Sequence, residues 1–409
     1  MENGIAAQKI LGFKGLVVLL FFANMFIPLS TDIYLPALPG ISEYFHCPAP
    51  LVNLSLISFF LFYALSIIFW GPLSDKYGRR PCLVVGCLLY LLASFGCALA
   101  GNIYILIFMR VLQGFGAGAI TTLSMAIIKD CFNGRRRENI LGLIFTMSGT
   151  APIIAPLLGA QILRFATWRF AFWVLAFLGL LMCVFSLCYQ ETLSSAERYR
   201  GKTIGAYQQL AAVLHNRSFF YPVLIFAIIT APYMGYVSSA SFIYEVRFGL
   251  SEQGFSYYFA VNAFAALFAP LLYLKFLRNI NKQALGFSFA CGSIISGLLI
   301  MICGKQGPLF FMLCLIPYTL LTGSTRIYSV NWILDQHPGD NGAASSLISS
   351  TNTGLSCGCM LIAAFFSGDI VVSLGGLIIV FASISAITWY LFLRSSIPCV
   401  GVKDIVPKA

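Results

Sequence analysis

The feature that most constrains this chain is a series of long, almost uncharged apolar segments along its whole length. Of 409 residues, 59% are hydrophobic and only 10% are charged, whereas soluble proteins carry about 25% charged residues. A soluble fold of this length could not bury so much apolar surface. The segments reach the roughly 20 residues that a helix needs to cross a bilayer, and they lack the alternation of barrel strands. We therefore expect an all-α integral membrane protein.

Hydropathy and helix-breaking residues predict twelve transmembrane helices in two groups of six. The predicted helices span residues 15–39, 52–71, 82–99, 103–128, 140–163, 170–189, 219–243, 255–277, 284–302, 309–332, 343–366 and 371–393. We expect an N-terminal six-helix bundle at 1–190, a cytoplasmic linker at 191–218 and a C-terminal six-helix bundle at 219–409. A short repeat supports this division, because Trp-Gly-Pro-Leu ends the second helix and Phe-Ala-Pro-Leu lies in the eighth. Parallel half-repeats occur in carriers built from two bundles.

The distribution of basic residues predicts the orientation of the chain in the membrane. The formal net charge is +11. Most lysines and arginines fall in alternate connections, at positions 76, 79, 80, 129, 135–137, 198, 200, 202, 217, 275, 278 and 282, while the intervening connections hold only those at 164, 169, 247 and 305. By the positive-inside rule, both termini and the linker are cytoplasmic. Anionic lipid headgroups, and not nucleic acid, are then the expected partner of this charge.

Residues 71–81, Gly-Pro-Leu-Ser-Asp-Lys-Tyr-Gly-Arg-Arg-Pro, form the most informative motif. Gly71 and Pro72 are expected to break the second helix, and Gly78 to permit a tight turn. A positive-inside loop alone explains the basic residues but neither Asp75 nor the glycines. The motif closely resembles the loop between helices two and three of the major facilitator superfamily. The resemblance extends over the whole chain in helix number, topology and motif order.

Three further segments narrow this resemblance, at residues 31–39, 110–118 and 152–160. Together they are similar to the bicyclomycin/chloramphenicol-resistance (Bcr/CflA) group of twelve-helix drug:proton antiporters. The resemblance implies the major facilitator fold in a multi-pass protein of the bacterial inner membrane, and we expect it to be a monomer. It also assigns Pro152, Pro156 and Gly159 to the antiporter helix, and Asp75, Arg79 and Asp130 to a cytoplasmic latch that stabilises the outward-facing state.

Asp32 is the only acidic residue that falls well inside a predicted apolar segment. An ionised carboxylate is costly there, so such a residue is first considered functional. Asp32 and Arg110 each lie about seven residues from the outer ends of their predicted helices, roughly 10 Å deep. In the fold that the resemblance implies, both helices line the central cavity, so we expect Asp32 and Arg110 to act together in proton coupling. The alternative is a buried pair that only fixes packing.

Several polar residues in the predicted helices are candidates for the substrate cavity: Tyr34, Gln113, Tyr233, Tyr236, Asn262, Arg326 and Asn352. Polar side chains in membrane helices more often hydrogen-bond to other helices, so both uses stay open. Arg326 is expected to be a third buried charge. It either lines the cavity, as the tenth helix does in the resembled fold, or extends toward the inner membrane surface.

These features predict a proton-coupled exporter of small lipophilic compounds or drugs that works by alternating access. One buried acid against one or two buried arginines favours neutral or weakly charged amphiphilic substrates. The main alternative is a proton-coupled importer or exporter of a specific nutrient or metabolite, because a fold does not determine its substrate. An intramembrane enzyme is not expected, because all three histidines lie in or beside connecting loops. The cysteines show no metal-like spacing, and we expect no metal and no cofactor.

Overall fold

A computed structural model describes residues 8–194, 196, 198–201, 207, 213–336, 341–366 and 368–402. Within these residues, twelve helices are long and apolar enough to cross a membrane. In chain order, α1 to α12 are Gly12–Tyr44, Ala49–Tyr77, Arg79–Ala98, Ile103–Cys131, Gly134–Phe165, Arg169–Cys188, Arg217–Arg247, Glu252–Leu277, Lys282–Gln306, Pro308–Leu334, Gly342–Ala364 and Ile370–Arg394. The predicted all-α fold with twelve transmembrane helices is confirmed.

Large apolar side chains cover the outward faces of the helices, as the lipid environment requires. Leu92, Phe177 and Ile295 are 65%, 59% and 57% exposed. The bilayer core offers no water to the backbone, so each segment must satisfy its own N–H and C=O groups within a helix. The same apolar surroundings therefore account for both the exposed apolar surface and the helical backbone.

The chain forms two compact units, Met1–Tyr207 and Gln208–Ala409, with six of the described helices each. In the first unit α2 packs against α4, α3 packs against α4 and α6, and α1 packs against α5. In the second unit α8 packs against α10, α9 against α10 and α12, and α7 against α11. The same pairs recur six helices later, so the units share one packing plan. Of the predicted linker 191–218, residues 195, 197, 202–206 and 208–212 lie outside the described residues.

Helix α1 is interrupted directly after Asp32. It consists of the α-helix Gly12–Asp32, the short 3-10 turn Leu35–Ala37 and the helix Leu38–Tyr44. Pro36 has no N–H to donate to the carbonyl of the residue four positions earlier, which is Asp32. The proline therefore helps to end the first segment at this position and leaves Asp32 at a helix terminus.

Helices α7 and α8 are interrupted as well, each near a proline. Helix α7 consists of Arg217–Thr230, Pro232–Ser241 and the π-helical segment Phe242–Arg247. Helix α8 consists of Glu252–Ala266, Ala269–Leu272 and the π-helical segment Tyr273–Leu277. Because α7 continues past its predicted end at residue 243, it includes Glu245, which the sequence interpretation left outside the membrane segments.

The end of α2 differs from the prediction. Gly71 and Pro72 do not break the helix, because α2 continues through them to Tyr77 with Pro72 in its interior. Pro72 removes one N–H but not the helical backbone conformation, and the Ser74 hydroxyl donates to the Gly71 carbonyl at 2.8 Å. The reversal comes at Gly78, whose φ of 102° lies in the region that favours glycine.

Candidate functional site

The carboxyl group of Asp32 is almost fully enclosed within the first unit. The residue is 6% exposed, and the Thr31 hydroxyl donates to its Oδ1 at 2.8 Å. Within the part of the chain that the structure describes, no ion pair joins Asp32 to a basic side chain. Asp32 is thus a buried acid at a helix interruption without a compensating cation.

Arg110 of α4 is completely buried, and carbonyl oxygens and aromatic rings surround its guanidinium. Its Nη1 donates to the Ser30 carbonyl at 3.0 Å and to Oε1 of Gln113 at 2.7 Å. The guanidinium carbon lies 4.3 Å from the centroid of the Phe59 ring and 5.0 Å from that of Tyr34. These contacts partly replace the lost hydration of the cation. The second terminal nitrogen, Nη2, is buried without a hydrogen-bond partner.

Arg110 and Asp32 lie at similar depth, but the expected pairing is not formed in this conformation. Arg110 contacts α1 at the carbonyl of Ser30, two residues before Asp32. Two residues correspond to roughly 200° around an α-helix, so the Asp32 side chain leaves α1 in a different direction. Matching depth along two helices therefore does not imply an ion pair.

Tyr34 and Gln113 take part in a buried network between helices. Both are 0% exposed. The Tyr34 hydroxyl hydrogen-bonds with that of Ser55 at 2.7 Å, which joins α1 to α2. Gln113 donates to the Ser94 hydroxyl at 2.8 Å, which joins α4 to α3. The network therefore orients Arg110, and contact of Tyr34 or Gln113 with a substrate stays a prediction.

Five cavity candidates lie in the second unit, and two of them, Tyr236 and Asn262, are buried. Asn262 is 1% exposed and accepts a hydrogen bond from the Thr319 hydroxyl at 2.9 Å. The ring of Tyr236 is fully buried, 6.0 Å from the ring of Tyr233. Asn352 of α11 is half-buried. A role for these residues in substrate binding stays a prediction.

Arg326 of α10 is exposed, so the expectation of a third buried charge is wrong. The adjacent residues Ser324 and Thr325 are 0% and 1% exposed. They belong to the packed face of α10, and Arg326 lies one step around the helix from that face. The second unit thus buries no arginine at this position, and a position of Arg326 in the substrate cavity or toward the inner membrane surface stays a prediction.

The three predicted latch residues are brought together at one end of the first unit. Arg79, at the start of α3, donates to Oδ1 of Asp75 at 2.6 Å and to Oδ2 of Asp130 at 2.9 Å. The Arg79 side chain is 8% exposed, that of Asp130 16% and that of Asp75 53%. The more buried contact is therefore the one between Arg79 and Asp130, which links α3 to α4.

Glu191 belongs to the same region and was not predicted. Its carboxylate accepts the backbone N–H groups of Arg79 at 3.0 Å and Arg80 at 3.1 Å, and it lies 3.8 Å from the guanidinium of Arg198. An acid at these positions satisfies free donors at a helix N-terminus. In the sequence, Glu191 could have been noticed as an acid at the start of the linker, three residues after the end of α6.

Helix α5 contacts the interruption of α1 through Gly159. A Cβ atom at this position would overlap the carbonyl oxygen of Ile33 and approach the ring of Pro36. Pro152 and Pro156 lie in the interior of the same helix. The three predicted residues of the antiporter helix therefore lie on one element, of which Gly159 lies directly against the segment that follows Asp32.

Glu245 is the second residue that sequence interpretation missed. Its Oε1 is buried without a hydrogen-bond partner, and the residue lies two positions before the end of α7. The apolar segment of α7 was predicted to end at residue 243, so this acid was assigned to a connection. A prediction that extended α7 to the next basic residue, Arg247, would have included Glu245.

Comparison with known proteins places these features in a family context. The sequence profile of the Major Facilitator Superfamily matches residues 20–359. The uncharacterized MFS-type transporter YdgK of Bacillus subtilis is 31% identical over 326 residues, 78% of this chain and 81% of that protein. The chloramphenicol resistance protein of Pseudomonas aeruginosa is 32% identical over 257 residues, 62% of this chain and 59% of that protein. A crystal structure of the peptide transporter POT with sulfate matches with a TM-score of 0.74 and 14% identity, over 95% of this chain and 96% of POT.

Proposed function

Because the chain belongs to the major facilitator superfamily, we propose that it exports small lipophilic compounds in exchange for protons. In this proposal the protein is a monomer in the bacterial inner membrane with both termini in the cytoplasm. The bundles at 1–190 and 219–409 rock against each other, so that a substrate site opens to one side of the membrane at a time. The substrates are neutral or weakly charged amphiphiles.

The observation that carries proton coupling is the environment of Asp32. The carboxyl is 6% exposed, has one side-chain hydrogen-bond donor, Thr31, and forms no ion pair within the described residues. An ionised carboxylate in such surroundings is unfavourable, whereas a protonated one is tolerated. This conformation is therefore best assigned to the protonated state of Asp32.

Arg110 supplies the partner for the opposite state. Its Nη2 is buried without a hydrogen-bond partner, and the guanidinium already contacts α1 two residues from Asp32. When Asp32 loses its proton, a conformation in which its carboxylate reaches Nη2 gains a charge-assisted hydrogen bond. A proton then shifts the equilibrium by the difference in its binding energy between the two conformations.

The direction of transport and the substrate class are supported by the similarity to the chloramphenicol resistance protein. The alternative, a carrier for a specific nutrient or metabolite, uses the same fold. We therefore choose chloramphenicol as the first probe substrate.

The test is transport by purified protein in liposomes under an imposed pH gradient. With chloramphenicol at the same concentration on both sides, the pH gradient should drive it toward the acidic side, as in proton antiport. Movement toward the alkaline side would identify proton symport instead. No gradient-driven movement of chloramphenicol, combined with gradient-driven movement of a metabolite, would favour the nutrient carrier.

A further inference from the structure

The end of α7 holds an acid that the proposed mechanism does not use. Glu245 lies in the π-helical segment Phe242–Arg247, and its Oε1 is buried without a hydrogen-bond partner. No ion pair within the described part of the chain includes this residue. A buried carboxylate oxygen without a hydrogen-bond donor disfavours ionisation of the group. Segments of π-helix inside longer helices frequently occur at functional positions.

The nearest basic residue in the chain is already occupied. Arg247 donates to Oδ2 of Asp369 from Nη2 at 3.0 Å and from Nε at 3.4 Å. Partial burial raises the pKa of Asp369, but the hydrogen bond from Arg247 and the backbone N–H of Val371 lower it, and the net pKa lies below the ordinary value. Arg247 thus stabilises the ionised form of Asp369 and is not available to Glu245.

Helices α8, α10 and α12 pack against this segment, and the contact from α10 is apolar, because the ring of Phe311 lies 5.5 Å from that of Tyr244. Helix α8 presents Glu252, whose negative charge acts on Glu245, and Tyr258, whose ring stacks on Tyr244 at 5.2 Å. Asp369, the residue directly before α12, pairs with Arg247. A like charge disfavours ionisation of a neighbouring acid, and so does burial. Burial and the negative charge of Glu252 therefore both favour the neutral form of Glu245.

We propose that Glu245 is a second proton-binding carboxyl, located in the C-terminal unit, and that each transport cycle moves one proton on Asp32 and one on Glu245. The proposal rests on the proposed proton-coupled export. In the conformation described, the O–H bond of Glu245 is intact. In the opposite conformation this bond breaks, and the proton passes to water on the other side of the membrane. The Oε1 atom of Glu245 is buried, but the residue as a whole is partly exposed, so the carboxyl lies at the edge of the packed region, where water can reach it.

The first test is the protonation state itself, and it needs no substrate. Infrared difference spectra of the purified protein after a pH change report protonated carboxyl groups. The wild type should show a band that Glu245→Gln removes and Asp32→Asn leaves in place. Glu43→Gln is the matched control, because Glu43 lies near the end of α1, the corresponding helix of the first unit, and is exposed. A spectrum unchanged by Glu245→Gln would overturn the proposal.

The second test is the number of protons per substrate. With the membrane potential clamped at zero, each coupled proton multiplies the substrate ratio at equilibrium by about tenfold per unit of pH gradient. Wild type should reach the ratio expected for two protons, and Glu245→Gln the ratio for one, while Glu43→Gln equals wild type. A wild-type ratio for one proton overturns this inference but keeps the proposed function. A complete absence of gradient-driven transport contradicts the proposed function itself.

Discussion

At the scale of single residues, sequence spacing indicated depth in the membrane but not direction around a helix. Arg110 does contact α1 near Asp32, at Ser30, and no pair forms because Asp32 points elsewhere. The cluster of Asp75, Arg79 and Asp130 was predictable because its motif resembles a family loop, and the structure brings the three residues together. Glu245 was missed because a hydropathy window does not see the last turn of α7, where polar residues follow the apolar segment.

Asp32→Asn should abolish transport driven by a pH gradient, because the amide can neither release a proton nor form the charge pair with Arg110 that the unloaded return step needs, whether or not Glu245 still exchanges its proton. Substrate exchange without a gradient should survive, because the variant resembles the protonated acid in shape and charge. The measurement is chloramphenicol counterflow next to gradient-driven transport in the same liposomes. Glu138→Gln, an exposed acid at the start of α5, is the control. Gradient-driven transport by Asp32→Asn at the wild-type rate would exclude Asp32 as the proton carrier.

Asp130→Asn should slow transport more than Asp75→Asn, and neither should greatly change substrate affinity. Asp75 is half exposed, so its contact with Arg79 is worth about 1 kcal/mol or less. Asp130 is largely buried, and its loss leaves the buried Arg79 poorly compensated, at about 2 kcal/mol. Initial transport rates and substrate binding in detergent separate the two effects. Equal rates for both variants, or a large loss of affinity with normal turnover, would contradict the latch assignment.

At the scale of elements, the sequence predicted that the helices exist but not where they are interrupted. A segment of about 20 apolar residues in lipid has to form a helix, and this accounts for the correct prediction of twelve. The interruptions depend on local packing as well as on proline. Pro72 lies within a continuous α2, whereas α1 is broken around Pro36. Where α1 is broken, Gly159 of α5 lies directly against its backbone at Ile33.

Gly159→Ala should impair transport and lower the melting temperature, because its Cβ would overlap the backbone of α1 at Ile33. To relieve this overlap α1 and α5 would have to move apart, which would displace the segment that follows Asp32. Gly142 lies on the same helix and has no atom within 4 Å of a Cβ built on it, so Gly142→Ala is a matched control with nearly unchanged activity. The measurements are thermal unfolding in detergent and transport in liposomes. Wild-type behaviour of Gly159→Ala would show that α1 and α5 are not tightly coupled there.

At the scale of the whole molecule, two units with one packing plan carry different charges. The first unit buries Asp32 and Arg110, which together are neutral when Asp32 is ionised. The second unit holds Glu245 and exposes Arg326. The repeat was visible in the sequence only as one short motif, because packing between helices depends on shape, and many sequences produce the same shape. The distribution of charge between the units follows from individual residues, which the repeat does not constrain.

Neutral amphiphiles similar in size and polarity to chloramphenicol should be exported in preference to dications. A dication would need two free carboxylates, and in the proposed cycle Asp32 and Glu245 are both used by protons. An unpaired charge in these surroundings costs several kcal/mol. The measurement is a resistance and efflux panel in a host that lacks its own exporters, with Asp32→Asn as the inactive reference. Strong export of dications with neutral compounds unaffected would contradict this charge assignment.

The central claim, that substrate and protons move in opposite directions through one protein, is tested most directly by driving protons with substrate. Purified protein is placed in liposomes with a pH-sensitive dye inside, and an outward chloramphenicol gradient is imposed without any pH gradient. The account predicts that the lumen becomes more acidic as the substrate leaves, and that Asp32→Asn produces no such change. Substrate efflux with no acidification of the lumen, or equal acidification by Asp32→Asn, would contradict it.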